Sequence, residues 1–165
     1  MEIKIRSAKI EDLGDINSVL SEWLFPEEVI HYLDLIKQSI KQTPGSLEFD
    51  SHFIVAESDK KIIGLAGFRK LLPKLIKFSN TNNPGELSMI YISNKHRGNK
   101  IGTTLLNEIV DQTKKRNYTE LIIRSSDRFK DSGWGFYDNF SGAEKVGQLL
   151  PPESEGISQI WTIKY

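Results

Sequence analysis

The sequence predicts a mixed α/β fold, an α+β arrangement around a mixed sheet, with the element order βααβββαβαββ. The decisive segment is residues 86–114, where a strand pattern, a polar turn containing glycine and an amphipathic helix follow one another. A further strand pattern at 121–123 follows this helix, so a helical crossover makes the two strands parallel. Alternating apolar patterns before residue 86 and after residue 123 predict the other strands.

The N-terminal third predicts a short strand and two helices. The apolar face of the first helix comprises Leu13, Ile16, Leu20, Trp23 and Leu24. Phe25 and Pro26 interrupt this pattern. The second helix covers about residues 27–41, is expected to bury Ile30, and ends at the Thr-Pro-Gly of 43–45.

A hairpin and a polar connection follow. Residues 53–57 form a strand pattern, 58–61 predict a turn, and 62–72 predict the return strand. The connection at 75–84 contains three asparagines and leads into the central strand.

The second half predicts a long helix, a short helix and three strands. The long helix has one apolar stripe, formed by Ile101, Leu105, Leu106, Ile109 and Val110. Asn117 is expected to cap its C-terminus. After the strand at 121–123, a short helix is predicted at 132–140 with Ser132 or Asp131 as its N-cap. Strands at 143–150 and 157–164 end the chain.

Composition limits the function. The 165 residues fit one domain, 1–165, and the formal net charge of zero disfavours a nucleic-acid-binding protein. The absence of cysteine excludes thiolate metal sites and cysteine nucleophiles. His31, His52 and His96 are too scattered to suggest a metal site. Without a signal-peptide pattern or a membrane-spanning run we expect a cytoplasmic protein that acts off the membrane, and monomer or homodimer is left open.

The turn between the central strand and the long helix has the properties of a phosphate site. Residues 95–100 are polar and include two lysines and an arginine. The N-terminus of the following helix presents unpaired backbone N–H groups and the positive end of the helix dipole. Together these features favour a phosphate or pyrophosphate.

This segment resembles the acetyl-CoA-binding motif of the GNAT N-acetyltransferase superfamily, which reads Arg or Gln, two residues, Gly, one residue, Gly or Ala. Here Arg97 and Gly102 match the ends, and Lys100 replaces the middle glycine. The resemblance implies that acetyl-CoA is the acyl donor and that the turn holds its pyrophosphate. The residues implied in this contact are Arg97, Gly98, Asn99, Lys100, Ile101, Gly102 and Thr103.

The element order also matches the GNAT acyl-CoA N-acyltransferase fold, in which the two central parallel strands splay apart. The resemblance implies that the backbone of Ile90, Tyr91 and Ile92 pairs with the pantetheine arm as an added strand would. Ser126 and Asp127, after the next strand, are implied as further cofactor contacts.

Tyr137 is the candidate general acid. Residues 135–142 look like the family's Phe-Tyr-x-x-x-Gly-Phe segment, with one extra residue before Gly142. By resemblance the Tyr137 hydroxyl would approach the CoA sulfur and protonate it. A phenol with the ordinary pKa of about 10 is protonated at neutral pH and can donate.

Glu86 is the candidate general base for deprotonating the amine. It lies eleven positions before Arg97, the offset at which some GNAT enzymes carry a catalytic glutamate. A partly desolvated carboxylate could accept the proton directly or through water. A solvated acid at the start of the strand is the equally weighted alternative.

The acceptor is predicted to be a primary amine on a small molecule or a peptide. Phe25, Glu28 and Trp134 are the candidate substrate contacts. The loops that carry Glu27, Glu28, Glu153 and Glu155 are acidic, which favours a cationic amine. A non-catalytic acyl-CoA sensor on the same fold, and an unrelated α/β domain whose turn binds phosphate, are the competing interpretations.

Overall fold

A computed structural model describes residues 1–41 and 50–165. It confirms the predicted order of elements. These are β1 (Lys4–Ser7), α1 (Leu13–Ser21), α2 (Pro26–Lys41), β2 (His52–Ser58), β3 (Lys61–Lys70), β4 (Pro84–Ile92), α3 (Ile101–Lys115), β5 (Glu120–Ser126), α4 (Gly135–Asp138), β6 (Ala143–Leu149) and β7 (Ser158–Lys164). The strands form a mixed sheet in the order β1-β2-β3-β4-β5-β7-β6. The predicted end of α2 at 43–45 lies outside the described residues.

The chain divides into two compact units. The first unit comprises Met1–Arg69 and Ser88–Asp111, and the second comprises Lys70–Leu87 and Gln112–Tyr165. Both β4 and α3 contribute residues to each unit.

In the first unit, β1, β2 and β3 form an antiparallel meander. The loop between β2 and β3 has two residues, Asp59 and Lys60, with φ of 49° and 63°. Two residues with positive φ form the type I′ turn that matches the twist of a hairpin. The predicted hairpin is therefore confirmed, with its turn at these two positions.

The helices of the first unit bury one face each. Ile16 and Leu20 of α1 and Ile36 of α2 have no exposed surface. Ile30, which was expected to be buried, is 70% exposed, so that prediction is wrong. Val29 is buried instead, and Ile36 lies seven residues further along α2, two helical turns away on the same face.

In the second unit, β5 lies between a parallel and an antiparallel neighbour. Its pairing with β4 is parallel and covers Pro84–Leu87 against Glu120–Ile123. β7 is antiparallel to both β5 and β6. The parallel arrangement predicted from the α3 crossover is therefore confirmed.

The end of α3 follows the predicted capping. Asn117 has φ of 66°, the Asn117 N–H donates to the Lys114 carbonyl at 3.0 Å, and the Tyr118 N–H donates to the Thr113 carbonyl at 3.0 Å. This pair of bonds is a Schellman motif, in which a left-handed residue closes the helix.

The short helix differs from its prediction. Lys130–Trp134 form a π-helical turn, and only Gly135–Asp138 are α-helical. Ser132 and Asp131, the two predicted N-caps, both lie inside this π-helical turn, and the Ser132 hydroxyl donates to the Phe129 carbonyl at 3.3 Å. Glycines at 133 and 135 weaken a regular helix at this point.

The polar connection before β4 is anchored by the buried carboxylate of Glu120. This side chain has no exposed surface and accepts hydrogen bonds from the Ser79 hydroxyl at 2.6 Å and the Thr81 hydroxyl at 3.1 Å. The Asn80 N–H donates to it at 3.3 Å, and the Thr162 hydroxyl also contacts it. Four donors therefore satisfy a charge that burial alone would make costly.

Within the described residues, no helix has both the length and the apolar character needed to cross a bilayer.

Replacing Glu120 by Ala should lower the free energy of unfolding by about 2–4 kcal/mol, because it leaves several buried donors unpaired. Urea denaturation of the purified variant measures this loss. Glu144→Ala, which removes an exposed glutamate from β6, is the control and should change the value by less than about 0.5 kcal/mol. Equal stability of the two variants would show that the Glu120 network does not hold the connection.

Candidate active site

The turn that follows β4 presents a set of backbone amides at the start of α3. Residues Asn94–His96 form a 3-10 turn, and Gly98 and Lys100 then adopt positive φ of 83° and 60°. The Lys100 carbonyl accepts the Thr104 N–H at 3.0 Å, which is the first bond of the α3 ladder. The amides of the three residues between Lys100 and Thr104 therefore precede that ladder.

This geometry fits a pyrophosphate group. Residues in alternating left- and right-handed conformations turn successive N–H groups toward one concave surface, which binds anions. Arg97 and Lys100 are exposed and add positive charge beside the helix N-terminus. The turn can therefore hold phosphate oxygens with backbone and side-chain donors together.

Lys100 stands where the family motif has its middle glycine, and its backbone conformation shows how this replacement is accommodated. Its φ of 60° lies in the left-handed region, which glycine adopts readily and other residues adopt at a cost of about 1 kcal/mol. The backbone thus keeps the conformation that a glycine would favour, while carrying a lysine side chain.

The backbone groups near the end of β4 face alternately toward β3 and away from it. The Ser93 N–H donates to the Ile63 carbonyl of β3 at 2.8 Å, and the Tyr91 carbonyl lies 3.3 Å from the position of a Cβ built on Gly64. Ile90 and Ile92 alternate with these residues, so their N–H groups point away from β3. Of the three residues expected to pair with pantetheine, these two have the matching orientation.

Tyr137 lies in the second unit, packed among aromatic rings. Its side chain is 7% exposed and its ring centroid is 4.9 Å from that of Trp161. Burial raises the pKa of the Tyr137 phenol above its ordinary value. The hydroxyl therefore stays protonated at neutral pH, so in proton transfer it can serve as an acid but not as a base.

Trp161 holds this aromatic group in place. It is fully buried, and its indole N–H donates to the Asp138 carboxylate at 3.0 Å. This hydrogen bond, assisted by Lys145, lowers the pKa of Asp138. Trp134 packs edge-on against the same indole, with ring centroids 6.2 Å apart. Trp134 and Tyr137 therefore both contact the indole of Trp161.

Glu86 is buried, at 2% exposure, and lies opposite Ile122 in the parallel register of β4 and β5. The alternative of a solvated acid is therefore wrong. The sequence suggested solvation because Pro84 and Gly85 precede it, but both belong to β4.

Ser126, the last residue of β5, and Asp127, which follows it, are engaged in local structure. The Ser126 hydroxyl accepts the Arg128 N–H at 3.4 Å. The Asp127 N–H donates to the Ile157 carbonyl at 2.8 Å, and its carboxylate accepts the Ile157 N–H at 3.2 Å. Asp127 thus fixes the end of the loop between β6 and β7.

Two acidic residues expected near the acceptor have structural partners. The Glu28 carboxylate accepts the Phe25 N–H at 2.9 Å, so it closes the N-terminus of α2 as in a capping box. Glu153 pairs with Lys77 at 2.6 Å. Phe25 itself is 60% exposed.

Sequence reasoning assigned Trp23 to the core and did not single out Glu22. The Trp23 indole N–H donates to the Ile92 carbonyl at 2.9 Å, and the Glu22 carboxylate accepts the Asn94 N–H at 2.7 Å. These partners lie about 70 positions further along the chain, so no local sequence signal identifies them.

Comparison with known proteins decides the family. The model of the Acetyltransferase (GNAT) family matches residues 15–140. The chain belongs to the GNAT acetyltransferase family. It is an acetyl-CoA-dependent N-acetyltransferase, with acetyl-CoA as the acyl donor. The interpretation as an unrelated phosphate-binding domain is therefore wrong.

Solved structures share the fold of this GNAT protein. One, from Desulfovibrio desulfuricans and assigned to the GNAT family, has 18% identity and a TM-score of 0.80, with 99% of each chain covered. The PaiA N-acetyltransferase from Thermoplasma acidophilum, in complex with coenzyme A, has 21% identity and a TM-score of 0.67 over 100% of both chains. An aminoglycoside 6'-acetyltransferase type Ii has 17% identity and a TM-score of 0.73, with 98% of this chain and 96% of that one covered. No curated protein sequence matches the chain.

Replacing Lys100 by Gly keeps the left-handed turn, because glycine adopts this conformation without strain, but it removes one cationic side chain beside the pyrophosphate. Acetyl-CoA affinity should therefore fall by only roughly 2–5-fold, the cost of losing one exposed charge near a helix N-terminus. The free energy of unfolding should stay level or rise by up to about 1 kcal/mol. Calorimetry and urea denaturation measure the two quantities.

Gly102→Glu is the contrasting variant, since it places a side chain and a negative charge among the first-turn amides of α3. It should weaken acetyl-CoA binding severely. Wild-type affinity in this variant would show that the pyrophosphate does not bind at the turn.

Proposed function

We propose that the protein transfers the acetyl group of acetyl-CoA directly to a primary amine, without a covalent enzyme intermediate. The buried, protonated Tyr137 carries this proposal, because it offers a proton donor and no nucleophile at neutral pH. The sequence contains no cysteine, so a thioester on the enzyme is not available. A neutral amine needs no such intermediate to attack an activated acyl carbon.

The reaction forms one C–N bond and breaks one C–S bond. Glu86 takes the proton that the amine must lose, directly or through a water molecule. Tyr137 donates a hydrogen bond from its hydroxyl to the departing sulfur, which gains negative charge as the bond breaks. Before the next turnover Glu86 releases its proton to solvent, and the thiolate takes up a proton from solvent.

The proposed acetyl-CoA contacts belong to the first unit. The turn amides and cationic side chains hold the pyrophosphate, and the N–H groups of Ile90 and Ile92 pair with the pantetheine arm. The proposed turn contacts are Arg97, Gly98, Asn99, Lys100, Ile101, Gly102 and Thr103.

The proposed acid, the proposed base and one proposed acceptor contact belong to the second unit. Trp134 is half-buried and shares Trp161 with Tyr137, which supports the proposal that it contacts the amine-bearing molecule. We propose a small molecule or a peptide as acceptor. One protein of the same fold is an aminoglycoside acetyltransferase, which makes amino sugars the first class to test.

A panel of amines, assayed by release of free CoA thiol, tests the proposed reaction. The panel should include an aminoglycoside, a polyamine, a Lys peptide and glutamate. Acetylated amine formed in step with the thiol is the expected result. Binding of acetyl-CoA without turnover of any amine would instead support a sensor on the same fold.

Tyr137→Phe should lower kcat by roughly 10–10³-fold and leave acetyl-CoA affinity nearly unchanged, because it removes one proton donor. Since burial raises the pKa of Tyr137, ionisation of this phenol should cause no loss of activity below about pH 10. Steady-state kinetics across pH measure both effects.

Tyr118→Phe is the matched control, because Tyr118 is a buried tyrosine in the same unit, 6% exposed. Its kcat should stay within about twofold of wild type. If Tyr137→Phe behaves like this control, Tyr137 is not the acid.

Glu86→Gln should lower activity most at low pH, where the amine is most protonated and depends most on a base. The pH dependence of kcat/KM for wild type and variant measures the difference. Glu144→Gln serves as the surface control. An equal loss at every pH would assign Glu86 to positioning or stability.

A further inference from the structure

We propose that Glu22 and Trp23, which follow α1, are positioning residues for the acetyl-CoA turn: Trp23 contacts the Arg97 guanidinium directly, and Glu22 holds the backbone that leads to Arg97. This inference rests on the proposed role of Arg97 in holding pyrophosphate. All the contacts involved lie within the first unit.

The indole of Trp23 makes two contacts, one through its N–H group and one through the face of its ring. Its indole N–H donates to the Ile92 carbonyl at 2.9 Å. Its ring lies under the guanidinium of Arg97, whose Cζ is 5.1 Å from the ring centroid. A planar guanidinium stacks favourably on an indole face, so one side chain holds the end of β4 and orients the arginine five residues later.

Glu22 holds two of the four residues between Ile92 and Arg97. Its carboxylate accepts the Asn94 N–H at 2.7 Å and the Ser93 hydroxyl at 3.3 Å. Hydrogen bonds to a carboxylate are shorter and stronger than those between neutral groups. With the Ser93 N–H bound to β3 at Ile63, each residue from Ile92 to Asn94 is held by at least one bond from outside its own segment.

The backbone of Trp23 is itself set by the helix end. Its N–H donates to the Leu20 carbonyl at 3.0 Å, and Leu20 is fully buried. The backbone that carries the Trp23 side chain is therefore held by a hydrogen bond to a buried residue of α1.

These contacts reduce the conformational entropy that the turn and Arg97 lose when acetyl-CoA binds. An exposed arginine has many rotamers, and restricting them on binding reduces affinity. Stacking on Trp23 restricts the guanidinium before the ligand arrives. Glu22 does the same for the backbone of the turn. The expected effect lies in donor affinity rather than in the chemical step.

The first test compares Trp23→Phe with Trp23→Leu by calorimetry with acetyl-CoA. Phe retains a ring for Arg97 but loses the indole donor, so the dissociation constant should rise roughly 3–5-fold. Leu loses both contacts, and the rise should reach roughly 10-fold or more. The kcat at saturating donor should change by less than about twofold.

A double-mutant cycle with Arg97→Gln separates positioning from general stability. If Trp23 acts through Arg97, Trp23→Leu should change affinity much less in the Arg97→Gln background than in wild type. Full additivity would overturn the link to Arg97. If Arg97→Gln alone leaves affinity unchanged, the proposed pyrophosphate contact fails, whereas weakening by Arg97→Gln but not by Trp23→Leu refutes only this inference.

Glu22→Gln and Glu22→Ala provide the conservative pair. Gln keeps a side-chain oxygen that can accept the Asn94 N–H, so its affinity should lie between wild type and Ala. Ala should raise the dissociation constant roughly 5–10-fold. Glu11→Ala, an exposed glutamate before α1, is the control. Matching affinities for Glu22→Ala and Glu11→Ala would overturn the role of Glu22.

Discussion

The buried carboxylate of Glu120 determines where β4 begins. Glu120 begins β5 and lies opposite Pro84, the first residue of β4, in the parallel register. Its hydrogen bonds to residues 79–81 set the path by which the chain enters β4. Glu86 follows Pro84 by two residues, so the proposed base is placed by a buried charge that takes no part in the chemistry.

The other end of β4 is held in the same chemical manner. Glu22 accepts a backbone N–H and a hydroxyl just beyond the strand, and Trp23 caps its last carbonyl. Carboxylates suit this task because each offers several acceptor sites to donors that converge from different directions. Each carboxylate therefore holds the part of β4 that lies in its own unit in a constant geometry.

Local sequence patterns predicted the order of elements, the hairpin turn at Asp59 and the helix cap at Asn117. Each of these features is determined by residues within a few positions of one another. The burial of Glu86 and the anchoring by Glu120 could not be predicted, since their surroundings come from distant segments. The π-helical turn at Lys130 also escaped prediction. There the Ser132 hydroxyl bonds to a preceding carbonyl, which a pattern of cap residues does not reveal.

The burial of Tyr137 also defines the kind of acid it can be. An alkyl thiol such as that of cysteine has a pKa of about 8.5, below that of even an ordinary phenol. Burial raises the pKa of Tyr137 further, so complete proton transfer to a free thiolate is unfavourable. In the proposed mechanism, a hydrogen bond from the hydroxyl still stabilises negative charge on the sulfur while the C–S bond breaks. The proposed role of Tyr137 is therefore that of a fixed hydrogen-bond donor, and the proton that finally neutralises the thiolate would come from solvent.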